Sequence, residues 1–312
     1  MIPPPSEILT AHTRIKRHVR RTPVIRVDAA DFGLTLDTPL ALKLEFLQHT
    51  GTFKPRGAFN NLLSRKVPAA GVAAASGGNH GAAVAFAAQR LGHKATIFVP
   101  DVSSPIKIAR IQSYGADTRV GGARYADALE RCEAFIAQSG AMSVHAYDSL
   151  ETIAGQGTVG LEWQNDAPDL DTVLVAVGGG GLIAGIAAWY ARDVKVVGVE
   201  PDGSRALHAS LEAGRPIDVA VESIAADSLG ARNTGQLVYD IVRQNVDHVA
   251  LVPDDAIVAA QRLLWERLRI AAEPGGAAAL GALVSGRYAP RADEKVGVLL
   301  CGANVDLKTL AT

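Results

Sequence analysis

The run Thr172-Val173-Leu174-Val175-Ala176-Val177-Gly178-Gly179-Gly180-Gly181-Leu182-Ile183-Ala184-Gly185-Ile186-Ala187-Ala188-Trp189-Tyr190-Ala191 passes between two ordered elements through consecutive glycines. Thr172–Val177 carries no charge and reads as a strand buried on both faces, the pattern of a parallel sheet. Leu182–Ala191 reads as a helix. The same alternation recurs along the chain. Strands are predicted at Gly71–Ser76, Ala95–Pro100, Val194–Glu200 and Glu294–Cys301. Helices are predicted at Asn79–Leu91, Pro105–Tyr114, Arg124–Gln138, Asp254–Ile270 and Gly276–Ser285. Ser103-Ser104 ahead of Pro105 suits a helix cap and first turn. Such alternation predicts the α/β class, with parallel-rich sheets wrapped by helices.

At 312 residues the chain is long for one core, so two lobes are expected. Hydrophobic residues are 48%, enough for a large interior. Lys plus Arg is 31 and Asp plus Glu 32, a balance that gives no reason to expect a nucleic-acid or membrane partner. No apolar run has the length of a bilayer span, and the N-terminal stretch lacks the apolar core of a signal peptide. Two cysteines, Cys132 and Cys301, are too few for a disulfide scaffold or a zinc site, so a cytoplasmic location is expected.

Unusual residues gather where strands end: Ser76–Gly81, Gly178–Gly181, Glu200-Pro201 and Cys301–Asn304. Ligands of open parallel sheets bind beyond the carboxyl ends of the strands. Four glycines ahead of a helix offer unshielded N–H groups that attract a phosphate; a flexible turn is the plainer alternative. Gly179-x-Gly181-x-x-Ala184 also fits a dinucleotide fingerprint, with Glu200 as the ribose-binding acid of a dehydrogenase.

Thr50-Gly51-Thr52-Phe53-Lys54-Pro55-Arg56-Gly57-Ala58 is the most specific stretch. Lys54 sits between Phe53 and Pro55, and a lysine on an apolar, fixed segment loses hydration and basicity. A neutral amine is what Schiff-base chemistry requires. This stretch resembles the lysine motif of fold-type II pyridoxal-phosphate enzymes, in the serine/threonine dehydratase and serine racemase branch. Ser76–Gly81, Ala154–Thr158, Val177–Leu182, Glu273–Ala277 and Cys301–Asp306 are similar to further motifs of that family, in the same order.

The resemblance implies a two-lobed, tryptophan synthase β-like fold, with a large domain of residues 1–70 and 149–312, a small domain of 71–148, and the cofactor pyridoxal 5′-phosphate between them. Lys54 would hold the cofactor and act as base at Cα, with Phe53 packed near the ring. Asn79 would bind the 3′-hydroxyl. Gly178, Gly179, Gly180, Gly181 and Leu182 would hold the phosphate. Ser76, Gly77, Gly78, Asn79 and His80 would grip the carboxylate of a small amino-acid substrate. Cys301 would face the pyridine nitrogen, and a thiol, a weak donor without fixed charge, favours elimination over transamination. Tyr147 would fall near the substrate.

The reaction implied is dehydration and deamination of L-threonine or L-serine to a 2-oxo acid and ammonia, by a homodimer. Serine racemase and 3-hydroxyaspartate dehydratase activities are the alternatives within the family. Gly77 stands where the racemases carry a serine acting on the opposite face, so racemisation is expected to be weak. Glu200 matches one carboxylate of the family's divalent-cation site, but Ala206 stands in place of the second, so no metal is expected. The sequence stops at Thr312, short of the regulatory domain of allosteric threonine dehydratases, so no response to isoleucine is expected.

Overall fold

The structure, a computed structural model, describes residues 2–306. Its strands, in chain order, are β1 (Val24–Val27), β2 (Leu40–Lys43), β3 (Val72–Ala75), β4 (Ala95–Val99), β5 (Asp117–Val120), β6 (Met142–Ser143), β7 (Thr172–Ala176), β8 (Lys195–Pro201), β9 (His248–Val252) and β10 (Val296–Leu299). They form a six-stranded sheet of order β1-β2-β10-β7-β8-β9 and a four-stranded sheet of order β5-β4-β3-β6. Every pairing is parallel except β1 with β2 at one edge. Helices cover both sheets, and the fold is α/β as the alternation predicts.

The continuous apolar runs became central strands: β3, β4, β7 and β10 are buried at every residue. Two principal cores follow. The larger holds Leu42, Val175, Val197, Val298 and Leu280. The smaller holds Val72, Val84, Ile97 and Ile111, joined by Ala58, Phe59 and Leu62 from the helix Lys54–Ser64. That helix, for which the apolar pattern predicts no element, therefore packs into the core beside the four-stranded sheet although it follows a strand of the other one.

β3, β7 and β10 end at the loops that the sequence marks as unusual. Helices begin directly beyond two of them, at Asn79 and at Gly181. This is the end of a parallel sheet at which ligands bind. Among the described residues no helix is long and apolar enough to cross a membrane.

Candidate active site

Lys54 opens the helix Lys54–Ser64, with Pro55 in the first turn, where the missing N–H of proline costs nothing. Two residues on, Arg56 locks the helix in place. Its guanidinium is fully buried and bonds Glu45 (2.6 and 3.0 Å), Glu162 (2.9 and 2.7 Å) and Thr158 Oγ1 (3.1 Å). Burial alone would lower the Arg56 pKa; Glu45 and Glu162 reverse this and raise it. Buried Lys43 donates to the Thr22 carbonyl at 2.7 Å and lies 3.5 Å from Glu162. Two cations thus face two carboxylates in the interior, and the network fixes where the Lys54 side chain starts.

The Lys54 side chain is half-buried, and its Nζ donates to the Ala146 carbonyl at 3.0 Å. Burial pushes the ammonium from 10.5 down to about 8, while Glu273 nearby opposes the shift. The amine is therefore available near neutral pH. Nζ lies 5.0 Å from the centre of the Phe53 ring. Cys301 donates its thiol to the Gly275 carbonyl at 3.5 Å, and burial pushes that thiol up to about 12, so it stays neutral. The Cys301 carbonyl accepts from Phe53 N–H, tying the two segments together.

The glycine loop faces the same space. Gly180 has φ +84°, a left-handed conformation that favours glycine, and precedes the helix Gly181–Tyr190. A Cβ on Gly179 would fall 2.2 Å from the Tyr147 ring, and one on Gly180 would fall 2.5 Å from Val238. No side chain fits here, and the main-chain N–H groups at the helix start are left to meet an anion. Leu182 continues that first turn and is buried. Ala146 and Tyr147 are adjacent in sequence, so one segment joins the lysine to the glycine loop.

Asn79 is held from two directions. Its Nδ2 donates to Glu273 Oε1 at 2.8 Å, and its Oδ1 accepts from Asn304 Nδ2 at 2.7 Å. Asn304 also donates to the Thr50 carbonyl, and Arg110 donates to Asn304 Oδ1. An amide nitrogen has two N–H groups, so one remains for a ligand hydroxyl. Burial pushes Glu273 up to about 7, against the pull of the Asn79 donor.

The loop Ser76–Gly78 leads into the helix Asn79–Leu91, and Ser76 Oγ accepts from Gly78 N–H at 3.2 Å. The His80 ring turns away from that loop: Nε2 donates to the Val144 carbonyl at 2.8 Å, and burial drives its pKa down to about 3. The ring is neutral, and only the main chain of His80 is left to face an anion at the helix start. A Cβ on Gly77 would stand 1.8 Å from Ser103 Oγ, so the Ser103 hydroxyl fills the space a side chain at 77 would take.

Glu200 lies apart from this cluster. It is fully buried, and its two oxygens accept from Leu207 N–H (2.9 Å) and His208 N–H (2.8 Å), in the helix Ala206–Ala213. The dinucleotide reading fails here, because a buried carboxylate spent on a helix terminus cannot hold a ribose. Among the described residues no group of three or more His, Cys, Asp or Glu is arranged to hold a metal.

Glu273, Ala146 and Arg110 join the site by contacts that their residue types do not announce. Glu273 is the N-cap of the helix Pro274–Val284, and in the sequence it shows only as the first residue of the Glu273–Ala277 motif. Ala146 acts through its carbonyl, which no residue type reveals.

A half-buried lysine of lowered basicity, a glycine loop at a helix start and a neutral thiol together fit an enzyme that carries pyridoxal phosphate. Comparison with known proteins agrees. The family described as pyridoxal-phosphate dependent enzyme matches residues 15–302, and this chain belongs to it. It is 42% identical to phenylserine dehydratase of Ralstonia pickettii, over 99% of this chain and 96% of that protein. It is 38% identical to L-threonine ammonia-lyase of Geobacter sulfurreducens, over 97% of this chain and 76% of that protein. Among solved structures, maize serine racemase superposes with a TM-score of 0.92 at 34% identity, covering 100% of this chain and 96% of that one. The protein is thus a pyridoxal-phosphate-dependent enzyme of the lyase type, with the fold of the fold-type II group.

Proposed function

We propose that this enzyme removes the β-hydroxyl of a 3-hydroxy amino acid, L-threonine or L-serine by preference, and releases a 2-oxo acid and ammonia. The observation that carries the reading is Lys54, an amine brought down to about 8 and bonded to the Ala146 carbonyl, next in the chain to the Tyr147 that packs against the glycine loop. When bound, pyridoxal phosphate supplies an electron sink for negative charge at Cα. Lys54 Nζ holds the cofactor and then takes the Cα proton, a task suited to a base titrating near the working pH. The helix start at Asn79 receives the substrate carboxylate. Cys301 would place a neutral thiol sulfur, its one proton given to the Gly275 carbonyl, beside the cofactor, and Asn79, fixed by Glu273 and Asn304, would keep one N–H for the cofactor hydroxyl. The division proposed with this reading is a large domain (1–70, 149–312) and a small one (71–148), with the cofactor between them. The cytoplasm and a homodimer complete the proposal; both free thiols are buried.

The 42% identity to a phenylserine dehydratase favours a second reading, in which the β-substituent is aromatic and lies against Tyr147. A panel of L-threonine, L-serine, 3-phenylserine and 3-hydroxyaspartate, scored by 2-oxo acid release, separates the two. The highest kcat/KM is expected for threonine or serine. A preference for phenylserine of roughly a hundredfold, a scale that even one apolar methylene can supply, would transfer the assignment to the aromatic substrate.

Racemisation is expected to be slow, because Gly77 offers no acid or base. Chiral chromatography of L-serine reactions should show little D-serine. Gly77→Ser alone must push Ser103 aside and should gain little. Gly77→Ser combined with Ser103→Gly should form D-serine roughly tenfold faster than wild type. Racemisation by the wild type at a rate matching elimination would contradict the reading.

A further inference from the structure

We propose that Thr234 adds a side-chain hydroxyl to the phosphate cradle, beyond the main-chain N–H groups of Gly178–Gly181. The inference rests on the reading of that loop as the phosphate site. Thr234 is 0% exposed, and its Oγ1 meets no hydrogen-bond partner among the described residues. It lies 3.2 Å from where a Cβ on Gly180 would stand. The hydroxyl is therefore held at the N-cap of the helix Gly181–Tyr190, the positive end of that helix.

Desolvating a hydroxyl without a partner is unfavourable, and interior hydroxyls are nearly always bonded. The loop that carries Thr234 is held on both sides. Asn233 Oδ1 accepts from Gly235 N–H at 2.8 Å, and Asn233 Nδ2 donates to Asp218 Oδ1 at 2.8 Å. Asp148 Oδ1 accepts from Val238 N–H at 3.0 Å, pinning the helix Gln236–Asn245 that follows. Val238 itself packs into the space a side chain on Gly180 would take. A phosphate dianion on the glycine loop is an acceptor of the required kind, and Thr234 donates its hydroxyl proton to one of the phosphate oxygens as a charge-assisted hydrogen bond.

The test titrates apoenzyme with pyridoxal phosphate and, separately, with pyridoxal, which lacks the phosphate. Thr234→Val should raise the Kd for pyridoxal phosphate about tenfold, the scale of one charge-assisted bond. It should leave the Kd for pyridoxal unchanged and shift the ³¹P resonance of the bound cofactor. Thr234→Ser should restore both readings. An unchanged Kd in Thr234→Val, or an equal weakening for the two ligands, would overturn the proposal. If Thr234→Val does not fold, Thr234→Ala with the same two ligands decides in the same way. Gly179→Ala separates the levels of inference. Loss of phosphate selectivity there but not in Thr234→Val defeats the threonine alone, while no loss in either variant defeats the glycine-loop reading.

Discussion

Lys54→Ala is expected to lower kcat by roughly 10⁴-fold, the upper end of what a positioned proton-transfer group supplies. The yellow, borohydride-fixable form of the cofactor should vanish with it. Lys54→Arg keeps a positive charge but no amine that can lose its proton, so it should be equally inactive. A charge whose only task was to support the fold would survive that change. The lowered basicity adds a pH signature. Only the neutral amine attacks the cofactor aldehyde, and the neutral fraction grows as pH rises through about 8. Cofactor capture by apoenzyme should therefore accelerate through that range, well below the 10.5 of an ordinary lysine.

The second large effect belongs to Arg56. Arg56→Met deletes the cation while Glu45 and Glu162 remain buried, at 0% and 3% exposure. Breaking a buried pair by removing one partner costs about 3–5 kcal/mol, since the surviving charge is left uncompensated. In a chain of this size that corresponds to a fall in Tm on the order of 10 °C. Calorimetry of the apoenzyme checks it. A Tm within about 2 °C of wild type would show that the network does not carry the helix. This loss of stability should depend little on salt, because none of Arg56, Glu45 and Glu162 faces solvent.

The sequence revealed these elements unequally, for physical reasons. Strands β3, β4, β7, β8 and β10 were legible because parallel strands buried on both faces are nearly uniformly apolar. β1 and β5 were not. As edge strands with solvent-facing residues, Val24-Ile25-Arg26-Val27 and Asp117-Thr118-Arg119-Val120 show neither a continuous apolar run nor clean alternation. The helix Lys54–Ser64 has no apolar signature because it buries Arg56, Asn60 and Asn61, polar residues that periodicity assigns to solvent but that here bond Glu45, the Glu151 carbonyl and Thr152 Oγ1. The helix Leu150–Asp166 was hidden in a similar way. Its Gly155 and Gly157 resemble loop residues, yet they let the helix approach its neighbours: a Cβ on Gly157 would stand 2.8 Å from the Gly185 carbonyl.

The site followed the same logic. Lys54 on its apolar segment and the run Gly178–Gly181 stand out in the sequence by residue type, whereas the roles proposed for Asn79 and Cys301 come from the resemblance to the family. The contribution of Ala146 was not legible, since a carbonyl carries no signature in sequence. His80 was read by type as a donor, but its ring is bound to the Val144 carbonyl, a contact between segments far apart in the chain.

The most direct test is to reduce wild-type holoenzyme with borohydride, digest it and locate the pyridoxyl group by mass spectrometry. The expected result is one labelled peptide, containing Thr52-Phe53-Lys54-Pro55, with the label on Lys54. A label on Lys43, Lys107 or any other lysine, or no label on a yellow and active enzyme, would contradict the assignment on which the mechanism is built.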